Sequence, residues 1–192
     1  TRQNMRQNGP LRKSLFAFFC LLGVSADAFG WPSTGSVTIP AGTTNYIGTD
    51  ADVAAVSGLS SIVLEAADSS VVYTNASTEL TLSAAVSGSG LFKASSGYRL
   101  KLTGDNSGLT GHFEFYNSPV EVRSRYGLGG PDSGACKFDR MNNGTLNFYS
   151  PTGVITNDAT IDVYSSVLTS QGVTIHSAST DTLVQKGDLL YN

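Results

Sequence analysis

Gly88-Ser-Gly-Leu-Phe-Lys-Ala-Ser-Ser-Gly-Tyr-Arg-Leu-Lys-Leu-Thr-Gly-Asp-Asn-Ser-Gly-Leu-Thr-Gly111 sets glycines at regular intervals around two short alternating strands and closes on a Gly-Asp-Asn-Ser-Gly turn. Alternation sends Leu100 and Leu102 to one face and Arg99 and Lys101 to the other, so one face is apolar and one is wet. A single rung of this kind leaves its apolar side uncovered, and stacking one rung on the next closes it.

The same grammar extends along the chain. Short alternating runs separated by Gly, Asn, Asp or Ser clusters predict strands at Ser36–Ile39, Ser61–Glu65, Ser70–Tyr73, Glu79–Ser83, Leu91–Lys93, Tyr98–Thr103, His112–Tyr116, Val120–Ser124, Thr145–Phe148, Gly153–Thr156, Thr160–Tyr164, Val173–His176 and Thr182–Gln185. Phe113, Phe115, Val120, Val122, Ala159, Ile161 and Val163 are expected inside. His112, Glu114, Glu121, Arg123, Asp158, Thr160 and Asp162 are expected outside. No helical period lasts two turns; Asp52–Ser57, cut off by Gly58, reads as a loop or a single turn. Three segments, Glu79–Ser83, Tyr98–Gly104 and Thr145–Ser150, resemble one another at spacings near 20 residues, with one longer interval, the signature of a solenoid. The expected fold is a right-handed parallel β-helix over 37–192 of roughly seven turns, some 35 Å long. An antiparallel β-sandwich is the alternative.

The Gly88–Gly111 stretch resembles the autotransporter-associated β-strand repeat of bacterial surface passengers, whose pattern is roughly Gly-x-Gly-x-Leu-x-Lys-x-Gly-x-Gly-x-Leu-x-Leu-x-Gly-x-Asn. Gly88, Gly90, Lys93, Gly97, Leu100, Leu102, Gly104, Asn106 and Gly108 fall on or within one place of it, while Ser95 stands where a glycine is usual. The resemblance covers Glu79 to about Gly130 and extends more loosely to Tyr164. It implies export, surface display and a right-handed β-helical stalk, often with an outer-membrane barrel downstream of such a segment. Its motif is structural, so it carries over no catalytic residues.

Charge placement agrees with export. Arg2, Arg6, Arg12 and Lys13 precede the apolar run Leu15–Ala26, a signal peptide over 1–28 in outline, with Met5 as the expected start and cleavage after Ala28 or Ala26. The run is too short to span a bilayer comfortably, although a retained anchor is the competing reading. Phe18 and Phe19 before Cys20 do not fit a lipoprotein signal. Residues 29–36, with Trp31-Pro-Ser-Thr-Gly-Ser, read as a linker. Removing residues 1–28 takes away those four basic residues and Asp27, leaving eight basic against fourteen acidic residues. That balance repels phosphate backbones and argues against nucleic acid as a partner. The remainder has no second membrane-length apolar run. Cys136 is then the one cysteine, so no internal disulfide is expected.

Candidate chemistry is sparse. Asp50 with Asp52, and Asp158 with Asp162, have the spacing that puts side chains on one strand face, and clustered acids of this kind serve polysaccharide lyases and hydrolases on β-helices. Hydrolysis needs two carboxyls in a defined relation across a groove, which pairs on one strand do not supply. His112 and His176 lack a metal-ligand spacing. A Cys136–His nucleophilic pair stays open; the plainer reading makes the histidines exposed strand residues and puts Cys136 in the Gly127–Gly144 loop. Gly127-Leu-Gly-Gly130 precedes Pro and Asp, not a helix with Lys, and reads as a turn. Asn75-Ala-Ser77 and Asn143-Gly-Thr145 are glycosylation-like triplets in turns, coincidental in a bacterial chain. Asp105 lacks the nine-residue repetition of calcium β-rolls.

The expectation is a non-enzymatic passenger fragment at the bacterial cell surface, outer membrane-associated or extracellular, acting as a rigid stalk or adhesin toward host or neighbouring-cell glycans or proteins. No catalytic, cofactor or metal residues are assigned. The alternatives are a carbohydrate-active β-helix enzyme and a carbohydrate-binding module, for which Tyr98, Tyr116, Tyr126 and Tyr149 are the aromatics to inspect.

Overall fold

The computed structural model describes residues 30–191 except 75, 96, 117, 140–144, 151, 165–173 and 178–181. The expected signal peptide and both glycosylation-like asparagines lie outside the described residues.

Strands of three to six residues, most of them burying alternate side chains, are too short to hold a sheet through one hairpin. The chain instead turns through three faces and stacks on itself. Every strand pairing among the described residues is parallel. The first face holds β1 (Gly35–Ile39), β3 (Leu59–Leu64) and β6 (Ala85–Gly88); β13 (Val154–Asn157) and β16 (Thr182–Gln185) take the same place in the order of the chain further on. The second face is seven strands deep: β2 (Thr44–Ile47), β4 (Ser70–Tyr73), β7 (Leu91–Ala94), β9 (His112–Tyr116), β11 (Cys136–Asp139), β14 (Ile161–Tyr164) and β17 (Leu189–Tyr191). The third face is five deep: β5 (Leu80–Leu82), β8 (Leu100–Leu102), β10 (Val120–Val122), β12 (Thr145–Phe148) and β15 (Thr174–Ser177). About five turns carry both long faces, and the fold is a β-solenoid, not a sandwich.

Parallel register turns the alternation into columns. Val71, Phe92, Phe113, Cys136 and Ile161 stack one above another inside the second face, each at most 1% exposed. Leu80, Leu100, Val120 and Leu146 do the same inside the third. Phe92 meets Phe113 at 5.5 Å between ring centroids, and Phe115 meets Phe138 at 4.8 Å. These tilted contacts lie within the favourable range for aromatic pairs. Outside, Lys93, Glu114, Lys137 and Asp162 form a ladder of alternating sign, which favours this register over a slip.

Two glycines of the opening motif are fixed by this stacking. Gly88 has φ +94°, and a Cβ there would lie 1.9 Å from the Leu64 carbonyl oxygen; at Gly111 it would lie 1.8 Å from that of Gly90. Successive coils touch backbone to backbone at these corners, which leaves no room for a side chain.

Between β6 and β13 the first face has no described strand, and Asn106 bridges the gap. Its Oδ1 accepts from the Val86 N–H at 2.7 Å, and its Nδ2 donates to the Gly127 carbonyl at 2.7 Å. One fully buried side chain thus joins the coil before it to the coil after it. Leu109, bridged to Gly88, and Leu128 fill the core at this level.

The structure corrects several expectations. Asp50–Val56 is α1, a seven-residue helix that begins at Thr49 with a capping box to Asp52 and buries Val53 and Val56. It stands in the first coil where later coils place a third-face strand, and packs beside β5. Cys136 is in strand β11 with its thiol in the core, not in a loop. Glu121 sits on the outer side of β10 yet is buried, because Arg99 and Arg123 from neighbouring positions close over it. Thr44–Ile47, Ala85–Gly88 and Leu189–Tyr191 are further strands the patterning did not mark. Trp31, in the segment read as a linker, is buried and donates its indole N–H to the Tyr46 carbonyl at 2.7 Å.

Candidate functional site

The carboxylates singled out by spacing do not form a shared acidic site. Asp52 is held by α1: its Oδ2 accepts from the N–H groups of Gly48 and Thr49 at 3.1 and 2.9 Å. Asp50 reaches into the next coil, where it accepts from the Ser77 N–H at 2.8 Å and the Thr78 hydroxyl at 3.0 Å. Hydrogen bonds from Ser77 hold its carboxyl below the usual range. Asp158 is paired with the Arg125 guanidinium, which lowers its pKa through the hydrogen bond and raises that of Arg125. Asp162 belongs to the outer ladder beside Lys137. Asp105 accepts from the Ser107 N–H at 3.0 Å in a local turn, and no group of three metal-ligating side chains occurs among the described residues.

Cys136 and His112 point to opposite sides of the second face. Burial pushes the Cys136 thiol well above its ordinary pKa, which removes the thiolate a nucleophile needs. His112 is half-buried, not exposed as expected; burial first, then the nearby Lys137, lower its pKa, with Glu114 opposing. His176 lies in β15 in register with Asn147, and its side chain is outside the described set. Cys136 is therefore expected to resist maleimide in the native chain and to react fully in denaturant. Labelling of Cys136 itself in the native protein, located by peptide mapping, at the rate of a free thiol would contradict its place in the core.

The richest surface chemistry lies on the outer side of the third face. Glu79 takes Lys101 at 2.5 Å and Arg99 at 3.7 Å; Arg99 also reaches Glu121 at 3.4 Å, and Glu121 in turn holds Arg123. The Arg123 guanidinium sits 4.4 Å from the ring centroid of Tyr149, whose residue remains 39% exposed. Beside this network Asn147, in register with Glu121, keeps a buried Oδ1 without a hydrogen-bond partner. Exposed ion pairs of this kind stabilise a fold by only about 0–1 kcal/mol each. Their main effect is positional: they hold guanidinium planes and a tyrosine ring in a fixed array on a flat sheet.

Of the aromatics marked for inspection, Tyr149, after β12, is exposed on this side against Arg123, and Tyr98, before β8, is also exposed. Tyr116 and Tyr126 are half-buried, and Arg125 lies over the Tyr126 ring. The patterning missed Glu121 as the centre of the network. The available signal was like spacing: Glu79, Arg99 and Glu121 recur near the 20-residue period with alternating sign. Among the described residues no helix is long and apolar enough to cross a membrane.

Comparisons with protein-family models, with curated proteins and with solved structures return no match. The functional reading therefore rests on the chemistry of this chain.

Proposed function

We propose that this chain is a non-enzymatic segment of an exported bacterial surface protein, serving as a rigid stalk with an adhesive face, in the manner of the autotransporter passengers its repeat resembles. Its place is the cell surface, outer membrane-associated or extracellular, and its partners are the polar glycans of host or neighbouring cells. The observation that carries the reading is the fixed array on the third face, where Arg99, Lys101 and Arg123 are anchored by Glu79 and Glu121 next to the exposed Tyr149. Sugar hydroxyls hydrogen-bond to anchored guanidinium and carboxylate groups, and a tyrosine ring offers an apolar face to a sugar ring. The stacked core supplies stiffness, because each coil is held by its neighbours over the whole cross-section.

The test is retention of the full chain on an array of cell-surface glycans. Arg123→Ala combined with Tyr149→Ala is expected to weaken retention by at least about tenfold, through loss of a charged hydrogen-bonding group and a stacking surface. Lys93→Ala on the second face leaves it unchanged. Absence of glycan retention, or equal retention by both variants, refutes the adhesive face.

A further inference from the structure

The charges of the third-face array do not cancel. Arg99, Lys101 and Arg123 share only Glu79 and Glu121, three positive charges on two negative ones. Arg125, further along the same strand run, adds nothing to the surplus because it is paired with Asp158. Beyond residue 28 the chain carries eight basic against fourteen acidic residues, so this face is a local reversal of sign. The surplus is also the accessible part of the array. The Glu121 side chain is 11% exposed, whereas those of Arg99 and Arg123 are 51% and 40% exposed. A group arriving from solvent beside Glu121 meets guanidinium before carboxylate. Arg123 is the best placed to hold it: its Nε donates to Glu121, and its guanidinium carbon lies 4.4 Å from the Tyr149 ring centroid. Among the described residues neither Nη1 nor Nη2 of Arg123 has a hydrogen-bond acceptor. The fork is thus fixed at its base and open at its tip.

We propose that the third face selects a glycan carrying a single carboxylate, an acidic sugar among neutral ones, and that Arg123 takes the carboxylate through Nη1 and Nη2. This rests on the reading of that face as adhesive and names the chemistry it prefers. A planar carboxylate matches a planar guanidinium fork with two parallel hydrogen bonds, which a sugar hydroxyl cannot make. One carboxylate balances the one uncompensated positive charge. A densely charged polyanion brings further negative charge against Glu79, Asp158 and the acidic remainder of the chain, and like charges across an interface select against it. The neutral sugars have their own partners. Glu79, with its side chain 36% exposed, accepts from their hydroxyls, and Tyr149 offers its exposed edge and face to a ring.

Retention of the full chain on three immobilised oligosaccharides tests this: one ending in a uronic acid, the same with its carboxyl reduced to the alcohol, and one with a sulfate ester in place of the carboxyl. The uronic acid form is expected to be retained at least about tenfold better than the reduced form. The preference should shrink as salt is raised, since contacts between exposed charges are screened. Arg123→Lys, checked for an unchanged circular dichroism spectrum, keeps the charge and loses the fork. It is expected to lower retention of the uronic acid form about tenfold and to leave the reduced form as before. Lys137→Gln, on the second face, changes neither. Equal retention of the acidic and reduced forms overturns the carboxylate preference and leaves the adhesive face standing, whereas retention of none of the three overturns both. Stronger retention of the sulfated form, or a preference for the acid that survives Arg123→Lys, also overturns the proposal.

Discussion

Asn106→Leu is expected to destabilise the solenoid by roughly 2–6 kcal/mol, although leucine is apolar and close to asparagine in size. The substitution strands two buried backbone groups, the Val86 N–H and the Gly127 carbonyl, each of which now has a 2.7 Å bond to the Asn106 amide. An unpaired buried donor or acceptor costs about 1–3 kcal/mol. In a parallel sheet, alternate N–H groups point to opposite neighbours, so the Val86 N–H faces the coil where the first face has no described strand. Water cannot replace the amide, because the site is fully buried. The midpoint of thermal unfolding should fall by roughly 5–20 °C, at about 2–4 °C per kcal/mol for a chain of this length. Hydrogen exchange should localise the loss to β6 and the Gly127 turn, since coils contact only their neighbours. Asn106→Asp tests the chemistry separately: it retains the acceptor for Val86 but loses the donor to Gly127, and it places a buried charge. A leucine variant as stable as the parent would show that Asn106 does not staple the coils.

The role of Asn106 also marks where a sequence stops being legible. The residue was visible as one place in a glycine-rich repeat, but its partners lie 20 and 21 residues away on either side. Only the coil register reveals them. Strands were readable where inward apolar and outward polar residues alternated over a clear run, as in His112–Tyr116 and Thr145–Phe148. Three unmarked strands lacked that contrast: β2 turns Asn45 inward, β6 ends in Ser and Gly, and Leu189-Leu-Tyr is apolar on both faces. The fourth, β11, has it in Cys136-Lys-Phe-Asp, but follows the glycine-rich run from Gly127 and reads as part of that loop. Helix α1 carried its own signal in Thr49 and Asp52, the two ends of a capping box, but a seven-residue helix is too short to show a period.

The same limit explains Glu121. Alternation put its Cβ on the outer side of β10, as found, but exposure depends on which residues stand beside it. Arg99 arrives from the preceding coil and Arg123 from two places along the same strand run, and together they bury the carboxylate. The acidic pairs fail as a site for a related reason. Spacing along one strand says which face a carboxylate takes, but the partner that occupies it comes from another coil, as Ser77 does for Asp50 and Arg125 for Asp158.

Phe113→Ala should cost about 3–5 kcal/mol, the range for removing a large aromatic from a packed core. Phe113 is fully buried midway along the inner column, 5.5 Å from Phe92 and 5.8 Å from Phe115 by ring centroids. A cavity at Phe113 therefore removes ring contacts from Phe92 in β7 and from Phe115 in β9, and Phe115 in turn packs on Phe138 in β11. The coil corners cannot contract to fill it, because the backbones at Gly88 and Gly111 already touch their neighbours. Phe113→Leu retains most of the volume and should recover more than half of the loss. Val72→Ala, on the outer side of the same sheet, should cost less than about 1 kcal/mol. Chemical denaturation of the three variants measures the ordering. Equal losses for Phe113→Ala and Val72→Ala would mean that the second face has no inside, and the stacked columns on which the stalk depends would not exist.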